Sequence, residues 1–106
     1  MKKITSYKEF TKKDYDISLK DRLNVVCVNK KTVLQYLKNF NQECIVLTCS
    51  ANDFVTGEVL TNSVFVYNDG VYCWTNEEIY HFEKYDMKLN DDFIQYVLNK
   101  SNKVGG

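Results

Sequence analysis

His81 is the only histidine of the 106-residue chain and its most obvious candidate for general acid–base chemistry. Glu78 and Tyr85 lie about one helical turn away on either side, so either side chain could orient the imidazole. No known nucleophile motif places a serine or cysteine beside His81, and a hydrolytic triad is therefore not indicated. The pattern favours a histidine on the surface or at the rim of a site, with no catalytic role.

Six carboxylates crowd into residues 77–92, and paired carboxylates can perform glycosidase or metal chemistry. They are Glu77, Glu78, Glu83, Asp86, Asp91 and Asp92. Four of them fall in the first turns of predicted helices, where capping and the helix dipole already account for acidic residues. The glycines form no phosphate-binding loop. We therefore predict no catalytic residues and no cofactor.

The cysteines contain no Cys-x-x-Cys pair of the kind that zinc sites use. They are Cys27, Cys44, Cys49 and Cys73. All lie in apolar, strand-like segments, which predicts buried, unreactive thiols and no metal site. Residues 1–10 lack the apolar run of a signal peptide, and no stretch approaches the roughly 20 apolar residues of a membrane span. These patterns predict one cytoplasmic domain over residues 1–106, with no membrane partner.

Charge is balanced over the whole chain, with 14 basic and 14 acidic residues, but it is divided unevenly along it. Residues 1–38 hold ten basic and four acidic residues, whereas residues 39–106 hold four basic and ten acidic residues. The overall balance disfavours wholesale binding to nucleic acid or membrane. Two interpretations stay open: two solvated faces that cancel in the fold, or a charged patch that steers a partner of opposite charge.

The elements that must position these residues begin with a strand and a helix in the first half of the chain. Leu23–Val28 is rich in valine and predicts a short buried strand. Thr32 and Gln35 have the spacing of a capping box, which predicts a helix over Thr32–Phe40. Glu43–Cys49 alternates in a way that predicts a second strand.

Residues 62–75 carry the strongest local signal, because two β-rich runs flank Asp69-Gly70. An Asp-Gly pair supplies the positive φ angles that a two-residue hairpin turn needs. Such a turn would place Tyr67 opposite Tyr72, and a three-residue loop would change the pairing but keep the hairpin. One face of the hairpin is then wholly aromatic and consists of Phe65, Tyr67, Tyr72 and Trp74. The other face carries the small apolar side chains of Val64, Val66 and Cys73.

Two helices close the chain, and both have start signals. Thr75 and Glu78 form a second potential capping box, and Asn90 is placed to cap the last helix. Residues 100–106 should fray, and residues 1–22 form a poorly defined N-terminal segment. Together the elements predict a small α+β fold: a mostly antiparallel sheet of three or four strands, with the Asp-Gly hairpin at its centre, packed by three or four helices.

The aromatic hairpin face and the acids beside it form the candidate partner-binding site. Tyr and Trp side chains are frequent anchors of protein interfaces, and nearby acids speed association with a basic protein. The candidate residues are Tyr72, Trp74, Glu77, Glu78, Tyr80, His81, Glu83, Asp86, Asp91 and Asp92. The alternative is that the aromatic face is the core beneath the terminal helices. Both can hold if Trp74 is buried while Tyr72 or Tyr80 lies at the rim.

Residues 53–98 resemble small bacterial immunity proteins of contact-dependent growth inhibition and polymorphic toxin systems. The shared pattern is an Asp-Gly hairpin followed by an aromatic-x-Trp, a short helix ending in Tyr, and Leu-x-x-x-Phe opening a last helix. In this chain it reads Asp69–Trp74, Ile79–Tyr85 and Leu89–Phe93, with Asp53–Glu58 as the preceding loop. The departures are Tyr72, Thr75 and Asn90, which stand where the pattern has Trp, Pro and Pro.

The resemblance implies an immunity protein that occludes the basic active site of a cognate toxin, with a nuclease as the expected partner. The missing catalytic motifs also favour a non-enzymatic binding domain. One alternative is a nucleic-acid-associated accessory protein or small enzyme that uses the basic N-terminal half, where Lys12 and Lys13 lie between aromatic residues. Another is an uncharacterised regulatory module. A homo-oligomer that pairs through the hairpin edge also stays open.

Overall fold

The computed structural model describes the backbone of residues 1–105 and the side chains of residues 1–100. Its helices are α1 (Lys8–Thr11), α2 (Lys30–Lys38), α3 (Asn76–Tyr85) and α4 (Asp91–Gly105), and a short 3-10 helix covers Leu19–Arg22. Its strands are β1 (Lys2–Lys3), β2 (Cys44–Val46), β3 (Ala51–Asn52), β4 (Val59–Thr61), β5 (Val64–Asn68) and β6 (Tyr72–Thr75). The predicted α+β class is confirmed.

The main sheet has four strands in the order β1-β6-β5-β2, and β3 pairs with β4 in a separate two-stranded sheet. Only β1 and β6 run parallel, so the sheet is mostly antiparallel, as predicted. The β5–β6 hairpin lies at the centre, and β2 and β1 cover its two outer edges. The hairpin itself has no unpaired edge, because the free edges of the main sheet belong to β1 and β2. A homo-oligomer through the hairpin edge, which the sequence left open, gains no support from this arrangement.

The register of the hairpin differs from the predicted one by two residues. Tyr67 pairs with Trp74 rather than with Tyr72, whose carbonyl instead accepts from the Asp69 N–H at 3.1 Å. The aromatic side chains nevertheless stay on one face, because a shift of two residues preserves the alternation of a strand.

The turn therefore consists of Gly70 and Val71 rather than Asp69 and Gly70. Gly70 has a φ of +93°, a conformation that favours glycine. One carboxylate oxygen of Asp69 accepts from the N–H groups of Val71 and Tyr72, at 2.9 and 2.7 Å. The aspartate thus supports the turn through its side chain, while the glycine supplies the positive φ.

The aromatic face of the hairpin packs against α2 and α4 and forms the centre of the core. Trp74 is 1% exposed and donates its indole N–H to the carbonyl of Leu37 near the end of α2, at 3.2 Å. Phe93 of α4 lies edge-on to Tyr72, with ring centroids 5.0 Å apart. Burying a side chain such as Phe93 stabilises the fold by roughly 1.5–3 kcal/mol. The aromatic face is therefore core at Tyr72 and Trp74, with Tyr67 packed against them, which is the alternative that the sequence left open. Phe65, in contrast, is half-buried and lies outside the core cluster.

Residues 23–28 form no strand, contrary to the prediction. Val26 is 90% exposed, and Asn24 has a φ of 59°, which interrupts an extended backbone. The Asn24 N–H donates to the carbonyl of Tyr85 at 2.8 Å, so this segment is attached to the end of α3 rather than to a sheet. The β-propensity of valine has no effect where no neighbouring strand pairs with the segment.

One of the two predicted capping boxes of α2 and α3 is present. At α3, the Thr75 hydroxyl accepts from the Glu78 N–H, and the Glu78 carboxylate accepts from the Thr75 N–H, which confirms the prediction. At α2, the prediction for Thr32 and Gln35 is wrong. The helix begins at Lys30, and its N-cap Asn29 has a left-handed backbone and no side-chain cap hydrogen bond.

The cysteines are less buried than their apolar surroundings predicted. Cys44 and Cys49 are exposed, Cys27 and Cys73 are half-buried, and all of them are free thiols. The prediction of a buried thiol is therefore wrong for Cys44 and Cys49. The reason is that β2 is short and lies at the sheet edge, so its side chains and those that follow it remain in contact with solvent.

The two termini are anchored to different extents. The N-terminal segment is better defined than predicted, because Ile4 and Leu19 are fully buried and belong to the core. At the other end, α4 continues to Gly105, so most of the predicted frayed tail, residues 100–106, lies in its last turns. The side chains of residues 101–106 and the backbone of residue 106 lie outside the described residues.

Candidate protein-binding site

Half of the ten candidate residues lie in the interior. The buried ones are Tyr72, Trp74, Glu77, Glu78 and His81. Those that are exposed or half-buried are Tyr80, Glu83, Asp86, Asp91 and Asp92. Tyr72 and Trp74 belong to the aromatic core, so neither ring is accessible to a partner in this structure.

His81 is fully buried, which corrects the prediction of a surface or rim position. Its Nδ1 lies 2.7 Å from the carbonyl oxygen of Glu77, and the Phe54 N–H donates to Nε2 at 3.0 Å. A nitrogen that accepts a hydrogen bond carries no proton, so the ring is neutral and Nδ1–H donates to Glu77. Through Nε2, His81 therefore attaches the segment between β3 and β4 to α3, while Nδ1 bonds the preceding turn of α3 itself.

Asp53 is a buried charged residue that the sequence analysis did not single out. Its carboxylate accepts from the phenols of Tyr80 and Tyr85, at 2.7 and 2.6 Å, and from the N–H groups of Val55 and Thr56, at 2.8 and 3.0 Å. Burial alone raises its pKa, but these donors outweigh burial and hold the pKa of Asp53 well below its ordinary value. The sequence signal is an aspartate at the start of a turn, whose side chain bonds the backbone two residues on.

The groups around Asp53 are not prepared for proton transfer near neutral pH. The hydrogen bond to Asp53, together with burial, raises the pKa of Tyr85 to about 12. Lys84 Nζ lies 3.0 Å from the Tyr80 phenol, which helps to raise the pKa of the lysine. Catalytic acids and bases are usually shifted toward the working pH, whereas all three of these shifts lead away from it. The cluster therefore holds the β3–β4 turn in place.

Glu83 of α3 and Asp86, the residue that follows this helix, face two lysines of α2. Lys30 Nζ lies 2.5 Å from Asp86 Oδ1, and Lys38 Nζ lies 2.7 Å from Glu83 Oε2. These ion pairs join the basic first part of the chain to the acidic second part. Of the two interpretations of the charge asymmetry, the one in which opposite charges cancel in the fold therefore holds for these four residues.

One face of the main sheet is apolar but only half covered. The register pairs Cys44 with Val66 and Val46 with Val64, which places these side chains on the same face, opposite to the aromatic one. We call this the open face; its apolar residues are Cys44, Val46, Val64, Val66 and Cys73, and the same register places Lys3, Asn68 and Thr75 beside them. Among residues 1–100, Cys44 is exposed, the other four apolar residues are half-buried, and none of the five packs against the core. Antiparallel sheets usually carry polar side chains on a solvated face, so an apolar one marks a contact site.

The free edge of β2 borders the open face. Ile45 and Leu47 are 43% and 76% exposed, so apolar surface continues around this edge. β2 pairs on one side only, with β5, and contains no lysine or proline of the kind that blunts sheet edges. The open face and this edge together form a continuous apolar feature of the main sheet.

A groove of about 310 Å³ lies where α2, α3 and β5 meet. Its lining includes Phe40 and Tyr67, and Tyr80 and Glu83 are the two candidate residues that reach it. Because Glu83 is paired with Lys38, neither of these charges is left for a ligand. The groove therefore offers mainly aromatic and aliphatic surface.

No group of three or more His, Cys, Asp or Glu side chains in the described part of the chain is arranged to hold a metal ion. Within residues 1–105, no helix combines the length and the apolar character needed to cross a membrane. Comparison of the chain with protein-family models, with curated proteins and with solved structures finds no match.

Proposed function

We propose that the chain is a non-enzymatic protein-binding domain that contacts its partner through the open face of the sheet. The observation that carries this proposal is the row of half-exposed valine and cysteine side chains on that face. Burial of apolar surface lowers the free energy by roughly 25 cal/mol per Å², and surface that stays in contact with water lacks this stabilisation. A partner surface that covers the open face gains this free energy without any rearrangement of the core.

The proposed partner is a bacterial toxin domain, which the chain neutralises as an immunity protein. This part of the proposal is supported by the resemblance of residues 53–98 to such proteins. Inhibition by occlusion needs no catalytic group, since the bound chain only has to cover the active site. An apolar sheet face next to a free strand edge suits that task, because a partner can bury side chains on the face and add a strand at β2.

Electrostatic attraction by acidic side chains contributes less to this proposed binding than the charge pattern of the sequence predicted. Glu83 and Asp86 are paired with lysines, and Glu77 and Glu78 are buried. At the start of α4, Asp91 lies 3.6 Å from Lys88, whereas the exposed Asp92 forms no ion pair among the described side chains and remains to attract a basic nuclease.

The experiment that tests the proposal is co-expression of the chain with the toxin domain encoded beside it. We expect the wild-type chain to protect the cells and to co-purify with the toxin. Cys44→Lys and Val66→Lys place charges on the open face and should weaken binding at least tenfold, because each lysine must be desolvated in the interface. Val26→Lys is the matched control, since Val26 is 90% exposed and lies outside this face.

Thermal unfolding of each variant separates loss of binding from loss of the fold. Because Cys44 is exposed, Cys44→Lys is expected to keep the wild-type unfolding temperature. Continued sensitivity of cells that express the wild-type chain would contradict the immunity function. Full protection by both open-face variants would contradict the choice of surface.

A further inference from the structure

A second cavity, of about 160 Å³, lies where three backbone segments meet on the side of the molecule near the start of α4. Its lining residues include Ser6, Arg22, Lys88 and Asn90, whose side-chain amide also donates to the carbonyl of Lys3 at 3.3 Å. The residues come from the segment after β1, the end of the 3-10 helix and the connection between α3 and α4. It shares no lining residue with the open face or with the groove between α2 and α3.

Hydrogen bonds fix the backbone around this cavity. The Lys88 N–H donates to the carbonyl of Arg22 at 2.9 Å, and the Tyr7 phenol donates to the carbonyl of Lys88 at 2.5 Å. The Asn90 N–H donates to the carbonyl of Ile4 at 2.8 Å. The backbones of Arg22 and Lys88, the two cationic residues, therefore lie side by side at a fixed separation.

Three sources of positive potential converge on the cavity. The guanidinium of Arg22 donates to the carbonyl of Asp21 at 3.0 Å and has no carboxylate partner among the described side chains. The ammonium of Lys88 lies 3.6 Å from Asp91, but that aspartate side chain is 86% exposed and free to turn away. The N-terminus of α4, a helix of 15 residues, adds the positive end of its dipole beside Asn90.

Tyr7 and Arg22 both line this cavity, and the charge of Arg22 acts on the Tyr7 phenol. Burial raises the pKa of the Tyr7 phenol to about 12, and the positive charge of Arg22 partly opposes that rise. The guanidinium is thus close enough to act on a phenol that lines the same cavity. An anion between Arg22 and Lys88 would gain charge-assisted hydrogen bonds from both cations.

We propose that this cavity binds a phosphate group. The planar fork of Arg22 suits two phosphate oxygens, Lys88 supplies a second positive charge, and the Ser6 hydroxyl and Asn90 amide offer neutral hydrogen bonds. Asp91 opposes the anion and turns toward solvent when phosphate enters. The ligand is a phosphate monoester or free phosphate, both of which carry the same dianionic group.

The test is a titration of the full chain with inorganic phosphate and with glycerol phosphate, followed by NMR. Sodium chloride of equal ionic strength is the reference. We expect saturable shifts of the backbone amides of residues 6, 22 and 88–90 with both phosphates and none with chloride. Tighter binding of glycerol phosphate identifies an organic ligand, and equal binding identifies free phosphate; either result supports the site.

Variants decide whether these side chains are responsible. Arg22→Gln and Lys88→Gln should each weaken phosphate binding at least tenfold, whereas Lys31→Gln, which removes the same charge outside the cavity, should not. Asp91→Asn should tighten binding, because it removes the one carboxylate beside Lys88. No saturable shift with either phosphate, or an unchanged affinity in Arg22→Gln, would overturn the proposal.

Discussion

In this molecule, His and Asp side chains, which often act in catalysis, make hydrogen bonds that connect separate segments of the fold. His81 uses both ring nitrogens to bind backbone groups, and Asp53 binds two phenols and two backbone N–H groups. Among the described residues, no buried side-chain nitrogen or oxygen lacks a hydrogen-bond partner. A buried polar network that is complete rigidifies the fold, and a partial one destabilises it. His81, which had suggested chemistry, and Asp53, which had not, therefore together define the position of the β3–β4 segment.

Glu78 is the residue whose titration should be visible in the stability of the protein. It is buried, and burial raises its pKa to about 7 although the Thr5 hydroxyl and the Thr75 N–H donate to it. In the unfolded chain its pKa is close to 4.5, so the folded state binds the proton more tightly. The stability contributed by the protonated form is present below pH 4.5 and is lost as the pH rises through 7.

We expect the free energy of unfolding to fall by roughly 3 kcal/mol between pH 4.5 and 7.5, since each pKa unit corresponds to about 1.4 kcal/mol. Glu78→Gln should remove most of this slope, and urea denaturation at several pH values measures it. The rest comes from groups such as Glu77, whose pKa burial also raises. Glu58→Gln is the control, because Glu58 is exposed. An unchanged slope in Glu78→Gln would show that Glu78 titrates normally in the folded state.

At the scale of elements, a capping-box sequence caps a helix only where the backbone before the helix is extended. Thr75 is the last residue of β6, so its extended backbone brings its hydroxyl to the N–H of Glu78. Before α2, the backbone turns left-handed at Asn29, and the helix begins two residues ahead of Thr32. Thr32 therefore lies inside the helix, where its hydroxyl no longer caps it.

This difference leads to a paired prediction for two threonines that look alike in sequence. Thr75→Ala should lower the free energy of unfolding by about 1 kcal/mol, the usual cost of a lost N-cap. Thr32→Ala should change it by less than about 0.5 kcal/mol, because alanine has a higher helix propensity than threonine. Urea denaturation of both variants at one pH makes the comparison. Equal losses would mean that Thr32 also caps its helix in solution.

At the scale of the whole molecule, the opposite charges of the two parts of the chain meet between α2 and α3. The net charge of zero is thus partly an internal cancellation, made by Lys30 with Asp86 and Lys38 with Glu83. Each of these side chains is roughly one third to one half exposed, so solvent screens the pairs. Surface ion pairs of this kind contribute about 0–1 kcal/mol each.

A charge-swap experiment tests this cancellation. Lys30→Glu combined with Lys38→Glu should lower the free energy of unfolding by about 1–2 kcal/mol, because two attractions become repulsions. Adding Glu83→Lys and Asp86→Lys should restore stability to within about 0.5 kcal/mol of the wild type. Denaturation at low and high salt gives both values, and salt should reduce the difference. A fourfold variant that stays as unstable as the double variant would show that the pairs are not coupled.

The sequence by itself determined the features whose interactions lie within a few residues. The β5–β6 hairpin, the aromatic face of its alternating strands and the Thr75–Glu78 cap are all local, and they led to the correct α+β class. Even there, the register was off by two residues, because the side chain of Asp69 and the φ of Gly70 together select the turn.

Only the tertiary structure decided which groups are buried and which charges are paired. His81 meets Phe54 across 27 positions, and Lys38 meets Glu83 across 45. Val26 and Cys44 stay exposed despite apolar neighbours, because no element of the fold covers them. Burial depends on how distant segments pack, and no pattern within a short window contains that information. For this reason the chemistry-bearing residues proved structural, and the open face became visible only once the strands were paired.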